Sequence, residues 1–406
     1  MISRSRRGGI SHRRPAMGVS IESRETQHAR LSIRSPSATI GSAQSGGTKR
    51  FSERSLMIID DIEFFAVEID RTDAYRPVRS LIVRIDSDDG REGWGETPLG
   101  LLPAERLPNR SALLALLEGR SVFCVEEILD AELLSSAPLR LAVEMAVWDL
   151  IGRTLKQPLC RIGGGAYRPA VPLAARLPPG SPRRLAELAR AWAEQGLWTQ
   201  TIEVSGALDA DLAMLADVRA AAGGRLRLRL DAGGQYNMEA ARDLCSELEF
   251  DAPELLIDPI AMGDFFAVAS LARQTAVPVA VSRAIARPAD AFGAVRCGAG
   301  AAVVIDPARV GSLRDTRECS TVAVAGGASA VVSGPPSVGI AAAAMLQLIA
   351  CTPSLASPYE CVYRQLRDDV LRRSIAFADG NALVPLGPGL GVEIDRGKLE
   401  RYQVAL

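Results

Sequence analysis

The sequence predicts an α/β fold in which short parallel strands alternate with amphipathic helices, preceded by a smaller α+β region. After residues 163–165 the chain alternates apolar strands with helical segments, and several strands end in a polar residue. The distances between successive strand ends are 28, 27, 24 and 24 residues, counted from Glu203 to Asp231, Asp258, Ser282 and Asp306. This near-constant repeat favours a closed barrel. An open doubly wound sheet is the alternative, although no glycine-rich dinucleotide turn leads into a helix at the first strand.

The first 56 residues differ from the rest of the chain. They contain ten Arg and one Lys against three acids, and twelve Ser, without hydrophobic periodicity. This composition predicts a disordered basic tail. It lacks the apolar stretch of a secretory signal and is compatible with an organelle transit peptide, an anionic partner or a start codon assigned too early.

Residues 57–165 predict an α+β domain. Alternating apolar residues indicate a strand over Ile58–Ile69 and a hairpin of Ser80–Ser87 and Glu92–Glu96. Helical patterns follow over Ser111–Leu117 and Leu139–Leu155. This α+β domain would therefore precede the barrel in the chain.

The predicted barrel covers residues 166–385, and residues 386–406 form a C-terminal segment. Its strands are predicted over Val171–Ala175, Thr201–Ser205, Leu226–Asp231, Leu255–Asp258, Val277–Ser282 and Ala301–Asp306. In a closed barrel the C-terminal strand ends meet at one mouth, where such enzymes carry their active sites. We therefore expect Glu203, Asp231, Asp258 and Asp306 to face a common space, although a single strand-end acid is as often a helix N-cap.

Several segments taken together resemble a known family. They are Gly93–Glu96, Ala142–Leu150, Leu230–Ala232, Ile257–Pro259, Val277–Val281, Asp306–Gly311 and Pro388–Asp395. In this order they are similar to the mandelate racemase and muconate lactonizing branch of the enolase superfamily. The resemblance covers residues 57–406 and implies a modified TIM barrel, (β/α)₇β, with an N-terminal cap and a C-terminal segment that returns to it.

The resemblance implies a reaction in which a base abstracts a proton next to a carboxylate while Mg²⁺ neutralises the enediolate. It places metal ligands at Asp231 and Asp258, and the third ligand position is Ser282, followed by Arg283. The family's Lys-x-Lys corresponds to residues 201–203, which end in Glu203, and its opposing Lys corresponds to Asp306. The body of the chain contains no His, because the two histidines are His12 and His28, so a His–Asp dyad is excluded.

Two functions remain open at this point. In the first, the chain is a pseudoenzyme or carboxylate-binding protein that has lost the metal-assisted chemistry, and binding of Mg²⁺ is doubtful. Alternatively, it is an atypical cycloisomerase, racemase or epimerase with a rearranged metal site and Asp306 or Glu203 as the catalytic base.

Arg283 is a candidate substrate-binding residue, because its guanidinium could take the place of the metal charge and bind a carboxylate. It could equally point away into a surface ion pair. Tyr75 and Arg76 lie on the loop where the family's cap closes over substrate, and they are further candidates for ligand contact.

Composition limits the other function classes. A formal net charge of -1 gives no electrostatic reason to expect nucleic-acid binding, and no apolar run approaches a membrane span. Seven scattered cysteines without a CxxC pair indicate a reducing compartment, so we expect a cytoplasmic protein unless the tail is a transit peptide. The resemblance further suggests a homo-oligomer.

Overall fold

A computed structural model describes residues 57–73, 75–102, 109–261 and 263–406. The basic tail predicted for residues 1–56 lies outside these ranges. The described residues from 57 onward belong to one compact unit. The proposed boundaries between cap, barrel and C-terminal segment therefore stay predictions. No helix in the described ranges is both long and apolar enough to cross a membrane.

The N-terminal cap is an antiparallel sheet packed on helices. Its elements are strands β1 (Ile59–Ile69), β2 (Val78–Ser87) and β3 (Glu92–Pro98), and helices α1 (Arg110–Leu117), α2 (Val125–Leu129) and α3 (Ala137–Leu155). Strand β3 lies so close to α3 that a Cβ at Gly95 would be 1.8 Å from the carbonyl oxygen of Ala142. Only glycine fits this approach, which explains the Gly-Trp-Gly pattern.

The second region alternates parallel strands with helices. The strands are β4 (Ala170–Arg176), β5 (Thr199–Glu203), β6 (Arg227–Asp231), β7 (Leu255–Ile257), β8 (Val279–Val281), β9 (Ala302–Ile305), β10 (Ser329–Val332) and β11 (Tyr359–Glu360). The helices are α4 (Leu159–Ile162), α5 (Pro182–Glu194), α6 (Leu208–Ala222), α7 (Met238–Leu248), α8 (Phe265–Ala272), α9 (Pro288–Cys297), α10 (Pro307–Val310), α11 (Leu313–Ala325) and α12 (Gly339–Ala350). Most of their apolar residues belong to one large buried core, and a separate smaller cluster contains Leu255, Ile257, Ala280, Ala302, Val304 and Val331 of β7 to β10.

The parallel strands pair in sequence order from β4 to β10. Strand β11 pairs with β4, and a parallel bridge joins Ser333, directly after β10, to Glu360 of β11. These contacts bring the last strand beside the first. The expected (β/α)₇β barrel is therefore confirmed, and the open-sheet alternative is wrong.

The C-terminal segment returns to the cap. After a hairpin of β12 (Phe377–Ala378) and β13 (Asn381–Leu383), the chain forms α13 (Arg396–Tyr402) and β14 (Gln403–Val404). Strand β14 pairs antiparallel with β1, where Val404 lies opposite Ala66. The cap sheet thus has the order β14-β1-β2-β3.

Candidate functional site

Polar side chains gather where the barrel strands end. Arg176, Glu203, Asp231 and Glu360 are the last residues of β4, β5, β6 and β11. Asp258, Ser282, Asp306 and Ser333 follow directly after β7, β8, β9 and β10. Because the C-terminal ends of parallel barrel strands meet at one rim, the fold places these residues at a common mouth.

Arg283 points into this mouth and joins the two predicted metal ligands. Its Nη1 donates to Oδ1 of Asp231 at 2.7 Å and to Oδ2 of Asp258 at 3.1 Å, and its Nη2 lies 3.3 Å from Oδ2 of Asp231. The alternative in which Arg283 points away into a surface ion pair is therefore wrong. The guanidinium supplies a fixed positive charge between two buried carboxylates.

Asp258 is held by the backbone as well. Its Oδ1 accepts the N–H of Ser282 at 2.8 Å, and its Oδ2 accepts the N–H of Arg283 at 3.0 Å. Asp258 has a φ of 46°, in the left-handed region, which aspartate tolerates better than most residues. Both of its oxygens are thus engaged by donors.

A second arginine, Arg176, links three carboxylates. Its Nε donates to Oε1 of Glu360 at 2.6 Å, and its Nη1 lies 3.1 Å from both Oε1 of Glu203 and Oδ2 of Asp231. Its Nη2 also donates to Asp231 at 3.1 Å. Burial alone would raise the pKa of Asp231, but the two arginines outweigh it and hold that pKa below its usual range.

Glu360 is the most deeply buried carboxylate of the site, with 2% of its side chain exposed. Besides Arg176, it accepts hydrogen bonds from the hydroxyl of Thr201 and, at 2.8 Å, from that of Ser333. Burial raises its pKa, yet Arg176 and the hydroxyls more than offset this, and the pKa falls below its ordinary value. Glu360 is therefore a carboxylate at neutral pH.

Gly233 leaves room for the Arg283 guanidinium. Its φ is 58°, and a Cβ at this position would lie 3.4 Å from Nη2 of Arg283. A longer side chain would extend from that Cβ in a space already bordered by the guanidinium. Gly233 and the Arg283 guanidinium therefore lie side by side in the mouth.

The residues that the resemblance assigns to Mg²⁺ do not fit that ion here. A hard divalent cation needs several free oxygen ligands. Both oxygens of Asp231 and of Asp258 already accept hydrogen bonds from arginine or backbone groups, and the third position is Ser282. Across the part of the chain that the structure describes, no group of three His, Cys, Asp or Glu side chains is placed to hold a metal.

The two candidate bases have different surroundings. The Glu203 side chain is half-exposed and contacts Arg176. Asp306 is largely buried, and its Oδ1 accepts the backbone N–H of Ala308 at 2.9 Å, so it is the N-cap of α10. Burial raises the pKa of Asp306, against the opposing effect of Arg309. A catalytic role for either residue stays a prediction.

The structure does not bring Tyr75 or Arg76 into contact with the mouth carboxylates among the described residues. The backbone N–H of Tyr75 donates to Asp73 at 3.2 Å, and the Arg71 guanidinium lies 5.4 Å from the ring centroid of Tyr75. Arg76 lines a separate surface cavity beside the C-terminal residues. Ligand contact by these two residues stays a prediction.

Sequence analysis missed two central residues, Arg176 and Glu360. Arg176 directly follows the predicted strand Val171–Ala175, so the pattern of polar strand ends contained a signal for it. Glu360 lies on a strand of only two residues, which is too short for any periodicity. No comparable signal marked Glu360 in the sequence.

Comparison with known proteins agrees with this fold. Residues 184–398 match the family model described as enolase C-terminal domain-like. Muconate cycloisomerase 1 of Rhodococcus opacus is 26% identical over 343 residues, which are 79% of this chain and 90% of the relative. A probable glucarate dehydratase of Streptomyces coelicolor is 29% identical over 365 residues, covering 79% and 83% of the two chains.

A solved structure shows the same fold. The 2-chloromuconate cycloisomerase of Rhodococcus opacus 1CP superposes with a TM-score of 0.78 at 22% identity. The superposition covers 86% of this chain and 99% of that enzyme.

Proposed function

This chain belongs to the enolase C-terminal domain-like family, and from that premise we propose that its barrel mouth binds a small carboxylate without Mg²⁺-assisted proton abstraction. The observation that carries the proposal is the Arg283 guanidinium between Asp231 and Asp258. It supplies a positive charge where the resemblance places the metal. Unlike a metal ion, a guanidinium brings no open coordination position for an enediolate oxygen.

The free edge of Arg283 supports carboxylate binding. Its Nη1 is engaged by two acids, and 30% of the side chain is exposed. Within the described ranges, no acceptor contacts Nε. Nε and the outer N–H of Nη2 form a planar fork of the kind that binds carboxylates through two parallel hydrogen bonds.

The charges of the mouth favour a particular class of carboxylate. Two arginines face five carboxyl groups, those of Glu203, Asp231, Asp258, Asp306 and Glu360, which leaves an excess of negative charge. A dianionic ligand would be repelled more strongly than a monoanion. We expect the site to prefer a monocarboxylate, and more so one that also carries an amine.

A second candidate function is an atypical isomerase with Asp306 as the base. The raised pKa of this buried carboxyl favours it, because general bases work best with a pKa near the operating pH. Its engagement as the cap of α10 argues for a structural role instead.

Calorimetric titration with Mn²⁺ and Mg²⁺ tests the metal-free proposal. We expect no saturable binding at millimolar metal, and Asp231→Asn serves as the control. Tight binding that Asp231→Asn abolishes would overturn the proposal.

Titration with propionate, succinate and β-alanine then tests ligand class. We expect succinate to bind most weakly and Arg283→Gln to abolish propionate binding.

Exchange of α-protons in deuterated water tests the second candidate. We expect no exchange above background for a panel of carboxylates. Asp306→Asn is the matched variant, since asparagine caps helices about as well as aspartate and the fold should be retained. If the parent chain exchanges the α-proton of a carboxylate and Asp306→Asn does not, the protein is an isomerase with Asp306 as its base.

A further inference from the structure

A cavity of about 290 Å³ lies away from the barrel mouth, between cap helix α3 and barrel helices α11 and α12. None of the mouth residues lines it. Its walls are mainly apolar and include Trp148, Leu159, Ile162, Leu313 and Leu348. Its volume lies at the lower end of the range for small-molecule sites.

Cys351 and Glu144, two polar residues that line this cavity, are not available to bind a cation or a base. Burial raises the pKa of the Cys351 thiol, which is therefore neutral at physiological pH. The carboxylate of Glu144 accepts the backbone N–H groups of Leu313 at 2.6 Å and Arg314 at 3.4 Å. The interior thus suits an apolar group.

The rim carries positive charge. Arg317 is exposed, and its Nη1 donates to the carbonyl oxygen of Gly163 at 3.1 Å, at the edge of the cavity. Within the described ranges, no carboxylate lies within 4 Å of its guanidinium. The neighbouring Arg314 is already engaged by Asp315 and Glu318. Arg317 therefore offers donors that an anion can use.

We propose that this cavity binds a small apolar molecule that ends in a carboxylate. The apolar part occupies the space beside Trp148 and Leu348, and the carboxylate pairs with Arg317 at the rim. The argument rests on the volume, the apolar walls and the unpaired cation. It is independent of the function proposed for the barrel mouth.

Calorimetry on the full chain with 2-naphthoate tests the proposal, with 2-naphthalenemethanol as the uncharged counterpart. We expect saturable naphthoate binding that Arg317→Gln weakens about tenfold, which corresponds to about 1.4 kcal/mol, because the variant loses the charge-assisted pair at the rim. Binding of the alcohol should change less than twofold in Arg317→Gln. Arg296→Gln removes an exposed arginine of helix α9 and should leave naphthoate binding unchanged.

Two further variants test whether the probe binds in this cavity. Ile162→Trp fills the cavity from its half-buried wall and should abolish binding of both compounds while the circular dichroism spectrum is retained. Arg283→Gln should leave unchanged the naphthoate binding that depends on Arg317. Loss of that Arg317-dependent binding in Arg283→Gln, its persistence in Ile162→Trp, or the absence of any saturable binding that depends on Arg317 would overturn the proposal. A sedimentation coefficient that falls in Arg317→Gln, without probe binding, would show a subunit interface instead and also overturn it.

Discussion

Replacing Arg176 by methionine should destabilise the barrel more than any substitution of a surface arginine. Methionine keeps most of the apolar stem but removes the guanidinium. The change leaves Glu360, with 2% of its side chain exposed, without its cationic partner. Glu203 loses its arginine contact as well, whereas Asp231 keeps Arg283.

The magnitude follows from these contacts. Removing one partner of a buried ion pair typically costs about 3–5 kcal/mol, because the other charge stays buried and uncompensated. Thr201 and Ser333 still donate to Glu360, so we expect a loss of about 3 kcal/mol, at the lower end of this range. Arg183→Met is the matched control. Its side chain is 91% exposed and pairs only with Glu187 one turn away, so the loss there should be below about 0.5 kcal/mol.

Urea unfolding at pH 7, followed by circular dichroism, measures both losses. The double variant Arg176→Met/Glu360→Gln provides the decisive comparison, since a neutral amide no longer carries the buried charge. We expect it to recover about 1–2 kcal/mol relative to Arg176→Met. The reasoning would be refuted if Arg176→Met behaved like Arg183→Met, or if the second substitution destabilised the protein further.

Three further predictions concern the same site. Gly233→Ala should cost about as much as Gly90→Ala, because both glycines have a positive φ and a Cβ at Gly233 would reach only ordinary contact distance, 3.4 Å, from Nη2 of Arg283; urea unfolding measures both, and a clearly larger loss at Gly233 would contradict this. Because the folded-state pKa of Glu360 is lowered, its stabilising contribution is present above the unfolded value near 4.5 and is lost as the pH falls through the folded pKa. Unfolding curves of Glu360→Gln should therefore depend less on pH in this acid range than those of the parent chain. Ser282→Glu/Arg283→Ala should gain calorimetric Mn²⁺ binding, and a variant that binds no more metal than the parent would contradict the role given to Arg283.

The repeated strand and helix signals were sufficient to favour a closed barrel, whereas the (β/α)₇β topology came from the family resemblance. Strand β6, expected over Leu226–Asp231, is observed over Arg227–Asp231, and strand β9, expected over Ala301–Asp306, is observed over Ala302–Ile305. The apolar alternation and the polar strand ends recur once per unit, so an error in one unit does not change the fold. The return of the C-terminal segment depended on the resemblance instead.

The side-chain arrangement of the mouth was harder to predict. Arg283 lies two residues beyond β8, where the alternation of strand faces no longer determines where a side chain points. Its direction depends on Asp258, which binds its backbone N–H and its guanidinium together. Such long-range contacts leave no periodic pattern in the sequence.

Glu360 has a double position in this molecule. Its backbone pairs with Ala174 of β4 and bridges to Ser333 after β10, which closes the barrel, and its carboxylate binds Arg176 inside the mouth. When ligand preference changes during evolution, a substitution of Glu203 should cost the fold little stability. A substitution of Asp306 should cost it the N-cap of α10. A change at Glu360 removes the buried acceptor that Arg176, Thr201 and Ser333 share, so we expect new specificities in close relatives to arise around this residue and not at it.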